Sequence, residues 1–188
     1  MEHAPLHIAV IIGSNREGRF GDKPGQWIAD QISKRPEFTV DIIDLAFTAL
    51  PPVFTMQPDE DVNAYRARLD KADAFVVVTA EYNHSFPASL KHAIDFAKRE
   101  WRRKPVAFVS YGGASGGLRA VEHLRGVFSE LHVVGLRDVV SFHNYYAMFD
   151  SERKWQVPDS YSEPAALMLD ELAWWGNTLR NGRNELTN

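Results

Sequence analysis

The chain has 188 residues, of which 45% are hydrophobic and 24% are charged, a composition typical of a globular protein rather than a disordered one. Its 21 basic and 25 acidic residues give a formal net charge of −4, which offers no electrostatic footprint for nucleic acid. There is no cysteine, so thiolate catalysis, disulfides and cysteine-bound metals are excluded, and redox chemistry would require a bound cofactor. The first residues show no basic region followed by a long apolar stretch, and no apolar run approaches the length of a membrane span, so we expect neither a signal peptide nor a membrane-spanning segment. We expect one cytoplasmic domain over residues 1–188 that binds a small molecule or another protein.

The first apolar run is followed by a polar loop that suits an anion. Ile8–Ile12 is continuously apolar, which predicts a strand buried on both faces. A glycine-containing polar segment, residues 13–23, leads into a helix predicted over Pro24–Ile32. Helix starts present free backbone N–H groups and a positive dipole end to phosphates. Neither a Walker A motif nor Gly-x-Gly-x-x-Gly occurs there. The candidate phosphate donors are Ser14, Asn15, Arg16 and Arg19, unless the segment is a solvated turn.

A second loop follows the predicted third strand, Phe75–Val78, and runs into a helix that begins near Pro87. Loops at the carboxyl ends of strands bind ligands in open α/β sheets. Asn83 offers donors and acceptors, Ser85 offers a hydroxyl, and Tyr82 and Phe86 offer ring faces. The alternative is that the two rings cover the sheet edge, while Asn83 and Ser85 bond to their own backbone.

A third loop follows the predicted fourth strand, Pro105–Ser110. It spans Tyr111–Gly117, and its four glycines favour close approach of a ligand to the backbone. Downstream, the pattern predicts a helix from Leu118 to Phe128 and a fifth strand region from His132 to Val140. The aromatic segment from Asn144 to Asp159 shows no clear period, which predicts a loop that packs over another part of the protein. A last helix is predicted from Ser162.

The order of these elements predicts the fold. A second strand, Val40–Leu45, and an exposed helix, Asp59–Asp73, complete an alternation of five strands with helices. Such a chain predicts a flavodoxin-like α/β fold, in which five parallel strands in the order 2-1-3-4-5 carry helices on both faces. Ligands bind this fold where the first and third strands diverge, the site of flavin mononucleotide (FMN) in flavodoxin. The three loops should therefore converge on one crevice.

These stretches resemble the NADPH-dependent FMN reductase family, which includes flavin, quinone, azo-dye and chromate reductases. Gly13-Ser14-Asn15-Arg16 is similar to its Gly-Ser-x-Arg phosphate loop, Glu81–Asp95 to its Pro-Glu-Tyr-Asn signature, and Gly112-Gly113 to its third flavin loop. The chain departs from the family at Ala80, where the signature often has proline, and at Arg19, where many members have serine.

The resemblance implies a set of FMN-binding residues. Ser14, Arg16 and Arg19, together with Ser85, would hold the phosphate. Glu81, Tyr82, Asn83 and the Gly112-Gly113 backbone would line the flavin ring system (isoalloxazine). Phe86, Tyr111 and Ser115 complete the expected cofactor site, with no acid–base side chain and no metal.

The implied reaction passes hydride from NADPH or NADH to the flavin, and then two electrons to a flavin, quinone, azo dye or similar small acceptor. Family members are commonly homodimers or homotetramers. Tyr145–Trp155 and the Trp174-Trp175 pair are candidates for that contact, although core packing explains these aromatics nearly as well.

Two alternatives remain open from the residues. Gly113-Ala114-Ser115-Gly116-Gly117 fits the nucleophile elbow of a serine hydrolase, with Asp138 and His143 in the matching chain order. A flavodoxin-like electron carrier or redox-binding module is the other alternative, although such carriers are usually more acidic. The histidines lie in different predicted elements without ligand spacing, so no metal site is predicted.

Overall fold

A computed structural model describes residues 4–55 and 57–187. It contains one sheet of five parallel strands in the order β2-β1-β3-β4-β5, so the predicted fold is confirmed. Because each strand's carboxyl end lies at the same edge, the loops after β1, β3 and β4 are neighbours. The strands are β1 Leu6–Ile12, β2 Phe38–Asp44, β3 Ala74–Ala80, β4 Pro105–Tyr111 and β5 Val134–Phe142.

Helices cover both faces of the sheet, which explains why the central strands β1, β3 and β4 are almost continuously apolar, whereas the edge strands β2 and β5 carry polar residues. The helices are α1 Asp22–Ser33, α2 Glu60–Lys71, α3 Ala88–Asp95, α4 Leu118–Glu130 and α5 Ser162–Thr187. On β1, Ile8 and Val10 pack beneath α1 and α5, whereas Ala9 and Ile11 pack beneath α2, α3 and α4. Among the described residues, no helix has the length and apolar character needed to cross a membrane.

Strands β3 and β4 extend beyond their predicted carboxyl ends, and both extensions affect the site. Thr79 and Ala80 belong to β3 and Tyr111 ends β4, because the β3–β4 pairing continues through Ala80 opposite Tyr111. Placing these residues in loops was therefore wrong. The exposure predicted for the second helix was only partly right, since Tyr65 and Leu69 of α2 are buried in the core.

The aromatic segment after β5 packs against the sheet, as predicted. Its 3-10 helix, Tyr145–Ala147, places Tyr145 in a stacked contact with Phe20, with the ring centroids 4.2 Å apart. Trp155 meets the edge of the same Phe20 ring at 5.1 Å. The segment thereby forms a wall beside the carboxyl edge of the sheet.

Candidate active site

The three predicted loops meet at a crevice of about 410 Å³, a size typical of a small-molecule site. The aromatic segment after β5 also lines this crevice, through Tyr145 and Tyr146. A more open cavity of about 610 Å³, between α2 and residues 98–102, is lined mainly by charged side chains and includes none of these loops. The crevice residues are Arg16, Glu17, Gly18, Arg19, Phe20, Ala80, Glu81, Tyr82, Tyr111, Gly112, Gly113, Tyr145 and Tyr146.

The loop after β1 presents donors to this crevice. Ser14 is buried, and its hydroxyl lies 2.7 Å from the Tyr82 hydroxyl, which joins the first and second loops. Arg16 is exposed, with its guanidinium 5.8 Å from the Tyr82 ring centroid. Within the described chain, the backbone N–H groups of Asn15, Glu17 and Gly18 donate to no protein acceptor. One arginine and several free N–H groups form a donor set that suits a phosphate.

Arg19 is engaged inside the protein. Its two terminal nitrogens donate to the two carboxylate oxygens of Asp44 at 2.5 and 2.6 Å, and one of them also donates to the Ser14 carbonyl at 3.0 Å. The hydrogen bonds to Asp44 raise the pKa of the guanidinium above its ordinary value. The side chain borders the crevice, but contact between Arg19 and a phosphate stays a prediction.

The loop after β3 begins with a tight turn. Tyr82 and Ser85 exchange backbone hydrogen bonds of 2.8 and 3.1 Å, and the two residues between them, Asn83 and His84, have φ values of 49° and 73°. Asn tolerates this left-handed conformation, whereas His84 bears a strain of about 1 kcal/mol. Arg119 lies 3.1 Å from the His84 ring and helps to hold it. Among the described residues the Asn83 carboxamide has no hydrogen-bond partner, so it is available to a ligand.

Five of the twelve predicted site residues do not line the crevice: Ser14, Asn83, Ser85, Phe86 and Ser115. The Ser85 hydroxyl is 2.9 Å from the ring of His123 on α4, and Phe86 packs against the hydrophobic core beneath α2 and α3. This packing of Phe86 agrees with the alternative interpretation, and contacts of Ser85 and Phe86 with a cofactor stay predictions. A different serine connects α3 to the first loop, since Ser89 donates to the Gly13 carbonyl at 2.6 Å.

Glu81 joins the second and third loops. Its carboxylate, which is nearly buried, accepts a hydrogen bond of 2.7 Å from the Ser115 hydroxyl and pairs with the Nε atom of Arg119 at 2.8 Å. Both oxygens are thus held by partners. Glu81 fixes the crevice wall, and Ser115 supports it from outside the lining.

The serine hydrolase hypothesis is wrong because its residues are not assembled. Ser115 donates to Glu81, whereas the His143 ring contacts the Ala114 carbonyl at 2.9 Å and the Ser141 hydroxyl at 3.2 Å. Asp138 lies against its neighbour Arg137. His143 is therefore not placed to activate Ser115, and the carboxylate that Ser115 does contact is itself paired with Arg119.

The floor of the crevice holds an orphaned polar atom. Tyr111 is 3% exposed, and among the described residues its buried hydroxyl has no hydrogen-bond partner. Burial raises the pKa of this hydroxyl above its ordinary value. Gly112 follows at a close backbone approach, where a Cβ atom would lie 2.9 Å from the Gly117 nitrogen. Gly113 is exposed, with no atom within 4 Å of such a Cβ, so there is room for a ligand beside it, although its carbonyl accepts the Gly116 and Asn144 N–H groups at 3.1 and 2.9 Å.

Several crevice residues were missed from the sequence. Phe20, Tyr145 and Tyr146 line the site, although the last two were considered only for subunit contacts, and Asp44 was not considered. Their position after strand ends was the available signal, since β5 ends at Phe142 and β2 at Asp44.

These features fit FMN. The exposed Arg16 guanidinium and the N–H groups that meet no acceptor in the described chain suit its phosphate, and the Tyr82 and Tyr111 rings, the Asn83 carboxamide and the space beside Gly113 suit a flat ring with polar edges. Fold and site together define a flavodoxin-like protein that binds a planar, phosphorylated ligand at the switch point of its sheet.

The chain belongs to the NADPH-dependent FMN reductase family, whose model matches residues 6–147. This confirms the resemblance and, at the level of the family, an enzyme that uses FMN with a nicotinamide co-substrate. A probable NADPH:quinone oxidoreductase of Oryza sativa is 31% identical over 183 residues, which are 90% of this chain and 88% of the relative. An NAD(P)H-dependent FMN reductase of Schizosaccharomyces pombe is 34% identical over 121 residues, which are 58% of this chain and 60% of the relative.

Solved structures agree on the fold. FerB, a flavoenzyme NAD(P)H:(acceptor) oxidoreductase from Paracoccus denitrificans, aligns with a TM-score of 0.70 at 19% identity and covers 92% of this chain and 98% of its own.

Proposed function

We propose that this protein is an FMN-dependent NAD(P)H oxidoreductase that reduces a small planar acceptor of the quinone class. The observation that carries the proposal is the crevice, where a phosphate-type donor set lies beside tyrosine rings and an open glycine backbone. Bound FMN would supply the redox chemistry by taking a hydride from NADPH or NADH and then giving two electrons to the acceptor in a ping-pong sequence.

The loop after β1 binds the phosphate. Arg16 supplies a full positive charge that no carboxylate neutralises in the described chain, and the N–H groups of Asn15, Glu17 and Gly18 supply directed donors. The amino end of α1 follows within a few residues and adds its dipole. This arrangement favours a phosphate monoester over an uncharged ligand.

The other two loops orient the ring. The Tyr111 ring lines the floor of the crevice, where its apolar surface would pack against a flat ligand, while its hydroxyl is buried. The Asn83 carboxamide has no hydrogen-bond partner among the described residues, and its left-handed turn is tied to α4 through His84 and Arg119. Glu81 is held on both oxygens, so it positions these loops rather than exchanging protons.

Tyr146 provides the binding surface for the acceptor. It is 63% exposed at the rim of the crevice, its ring meets Tyr145 at 5.9 Å, and its hydroxyl donates to the Asn144 side chain at 3.0 Å. Large exposed aromatics beside a cleft commonly mark binding surfaces, and stacking favours flat aromatic partners. A nicotinamide and a quinone would use this rim in turn, which is consistent with the proposed ping-pong order.

An absorption spectrum tests the proposal. The purified protein is titrated with FMN and then with NADPH or NADH in the absence of oxygen, and the bleached protein is mixed with a benzoquinone. Bleaching followed by recovery on addition of the quinone supports the reductase. Bound flavin that neither nicotinamide bleaches would favour the electron carrier, and no binding of FMN would overturn the proposal.

We also propose a homo-oligomer, dimeric or tetrameric, in the cytoplasm. Trp174 is 58% exposed on α5, whereas Trp155 and most of its aromatic segment are used within the subunit. Phe47, Val53 and Phe54, on the loop after β2, form a second exposed apolar group. Light scattering of the wild type and of Trp174→Ser distinguishes the two surfaces, because only an interface on α5 would be lost.

A further inference from the structure

The Arg19–Asp44 pair joins the first loop to the end of β2. Both residues are largely shielded, with side-chain exposures of 11% and 16%, and the contact uses the two terminal nitrogens of the guanidinium and both oxygens of the carboxylate. Phe47 covers it from outside, with its ring centroid 5.5 Å from the guanidinium carbon. This bidentate geometry is the strong and directional form of the ion pair.

The same side chain closes the loop on itself. Arg19 donates from its guanidinium to the Ser14 carbonyl at 3.0 Å and from its backbone to the Arg16 carbonyl at 3.1 Å. The contact with Ser14 spans all three residues whose N–H groups are free, and the contact with Arg16 spans Glu17 and Gly18. Gly18, with a φ of 64°, permits the reversal between them.

Asp44 is in turn fixed by its own loop. Its carboxylate accepts the Ala46 N–H at 3.0 Å, and its carbonyl accepts the Thr48 hydroxyl at 2.8 Å. The pair therefore anchors the phosphate loop to a rigid strand end, and the charge of Arg19 is already neutralised before any ligand binds.

We propose that Arg19 and Asp44 are positioning residues for FMN, which act through the shape of the loop at residues 14–18 and do not contact the phosphate. This inference rests on the proposed FMN site. It assigns a role to Asp44 and gives Arg19 a role different from direct phosphate binding.

The sign of the Asp44→Ala effect separates the two roles of Arg19. Removing a carboxylate close to a phosphate dianion, and freeing an arginine, would by electrostatics alone strengthen FMN binding. Loss of the anchor does the opposite. We expect Asp44→Ala to weaken FMN binding by about ten-fold, the scale of a broken hydrogen-bonded charge pair, despite the freed positive charge.

The test compares FMN with riboflavin, which lacks the phosphate, by quenching of flavin fluorescence on the full chain. We expect weaker FMN binding in Arg19→Ala, in Asp44→Ala and in the double variant. Because the two residues act as one unit, the double variant should bind FMN no more weakly than the single variant with the lower affinity. Riboflavin affinity should change by less than about two-fold, since the ring loops are untouched. Asp41→Ala is the matched control. Asp41 lies on β2 three residues before Asp44 and also forms a bidentate ion pair, in its case with Arg68. The Asp41→Ala substitution should leave FMN affinity unchanged.

Unchanged or tighter FMN binding in Asp44→Ala would overturn the inference. If Arg19→Ala nevertheless weakened FMN binding, the result would support direct contact between Arg19 and the phosphate. Parallel losses for FMN and riboflavin would also overturn it, because the defect would then not act through the phosphate loop. A wild type that binds neither flavin would remove the proposed FMN site itself, a result distinct from both.

Discussion

Replacing Arg16 with alanine tests the phosphate assignment directly. Arg16 is exposed at the crevice, and its guanidinium carbon lies 5.8 Å from the centroid of the Tyr82 ring. An exposed cation–π contact of this kind contributes about 0.5–1 kcal/mol, so the variant should fold with nearly the stability of the wild type.

The effect on FMN should be much larger. A hydrogen bond to a charged group contributes about 1.5–3 kcal/mol, and each 1.4 kcal/mol corresponds to about ten-fold in the dissociation constant. Arg16→Ala should therefore raise the Kd for FMN by about 10- to 100-fold. Added salt should narrow the difference from the wild type, because the contact is at the surface and is screened.

The assay is a fluorescence titration with FMN at two salt concentrations, paired with urea unfolding of the flavin-free protein. Arg137→Ala serves as the control, since that side chain is 94% exposed on β5 and its one polar partner among the described residues is the neighbouring Asp138. FMN affinity that is the same in Arg16→Ala and wild type would refute the phosphate assignment.

Three further predictions follow from the site and the core. Tyr146→Ala should lower kcat/KM for a benzoquinone by about three- to ten-fold through lost stacking while leaving that for ferricyanide, which is not planar, unchanged; equal losses for both acceptors would contradict a stacking role. Gly113→Ala should stabilise the flavin-free protein by about 0.5 kcal/mol, because its Cβ atom enters open space, yet weaken FMN binding; unfolding and binding titrations with FMN check both effects. Burial lowers the pKa of Lys104 to about 8 from 10.5, so between these pH values the unfolded chain holds a proton that the folded chain has lost. The free energy of unfolding of the wild type should therefore rise with pH by about 3 kcal/mol relative to that of Lys104→Met. Urea unfolding from pH 7.5 to 10.5 measures this difference, and parallel pH profiles would show that Lys104 is not the titrating group.

Local patterns in the sequence were enough to predict the sheet and the loops of the site. The continuous apolar runs of β1, β3 and β4 identify strands buried on both faces, and the glycine-rich and polar segments after them identify the ligand-binding edge. Strand ends were less certain, as Tyr111 shows, because the pairing of β3 with β4 sets where a strand stops and no local signal does.

The sequence could not predict which side chains pair with one another across the site. Arg19 meets Asp44 from 25 residues away, Ser115 meets Glu81 from 34, and Ser85 meets His123 from 38. Each of these residues has a plausible local role in phosphate binding, nucleophilic catalysis or a turn, and nothing in spacing or composition ranks that role against a distant contact.

The sequence by itself determined which segments would meet, because five apolar strands alternating with helices predict a parallel sheet whose carboxyl ends lie at one edge, and the strand order was taken from the flavodoxin-like version of that fold. Only the tertiary structure decided which donors remain free at the crevice. Arg19 is neutralised by Asp44 while Arg16 stays exposed, and Ser14 and Tyr82 satisfy each other while the Tyr111 hydroxyl stays unpartnered. The physical reason is that hydrogen-bond satisfaction depends on the positions of all neighbouring groups at once, and those positions are set by packing between elements that are distant in the chain.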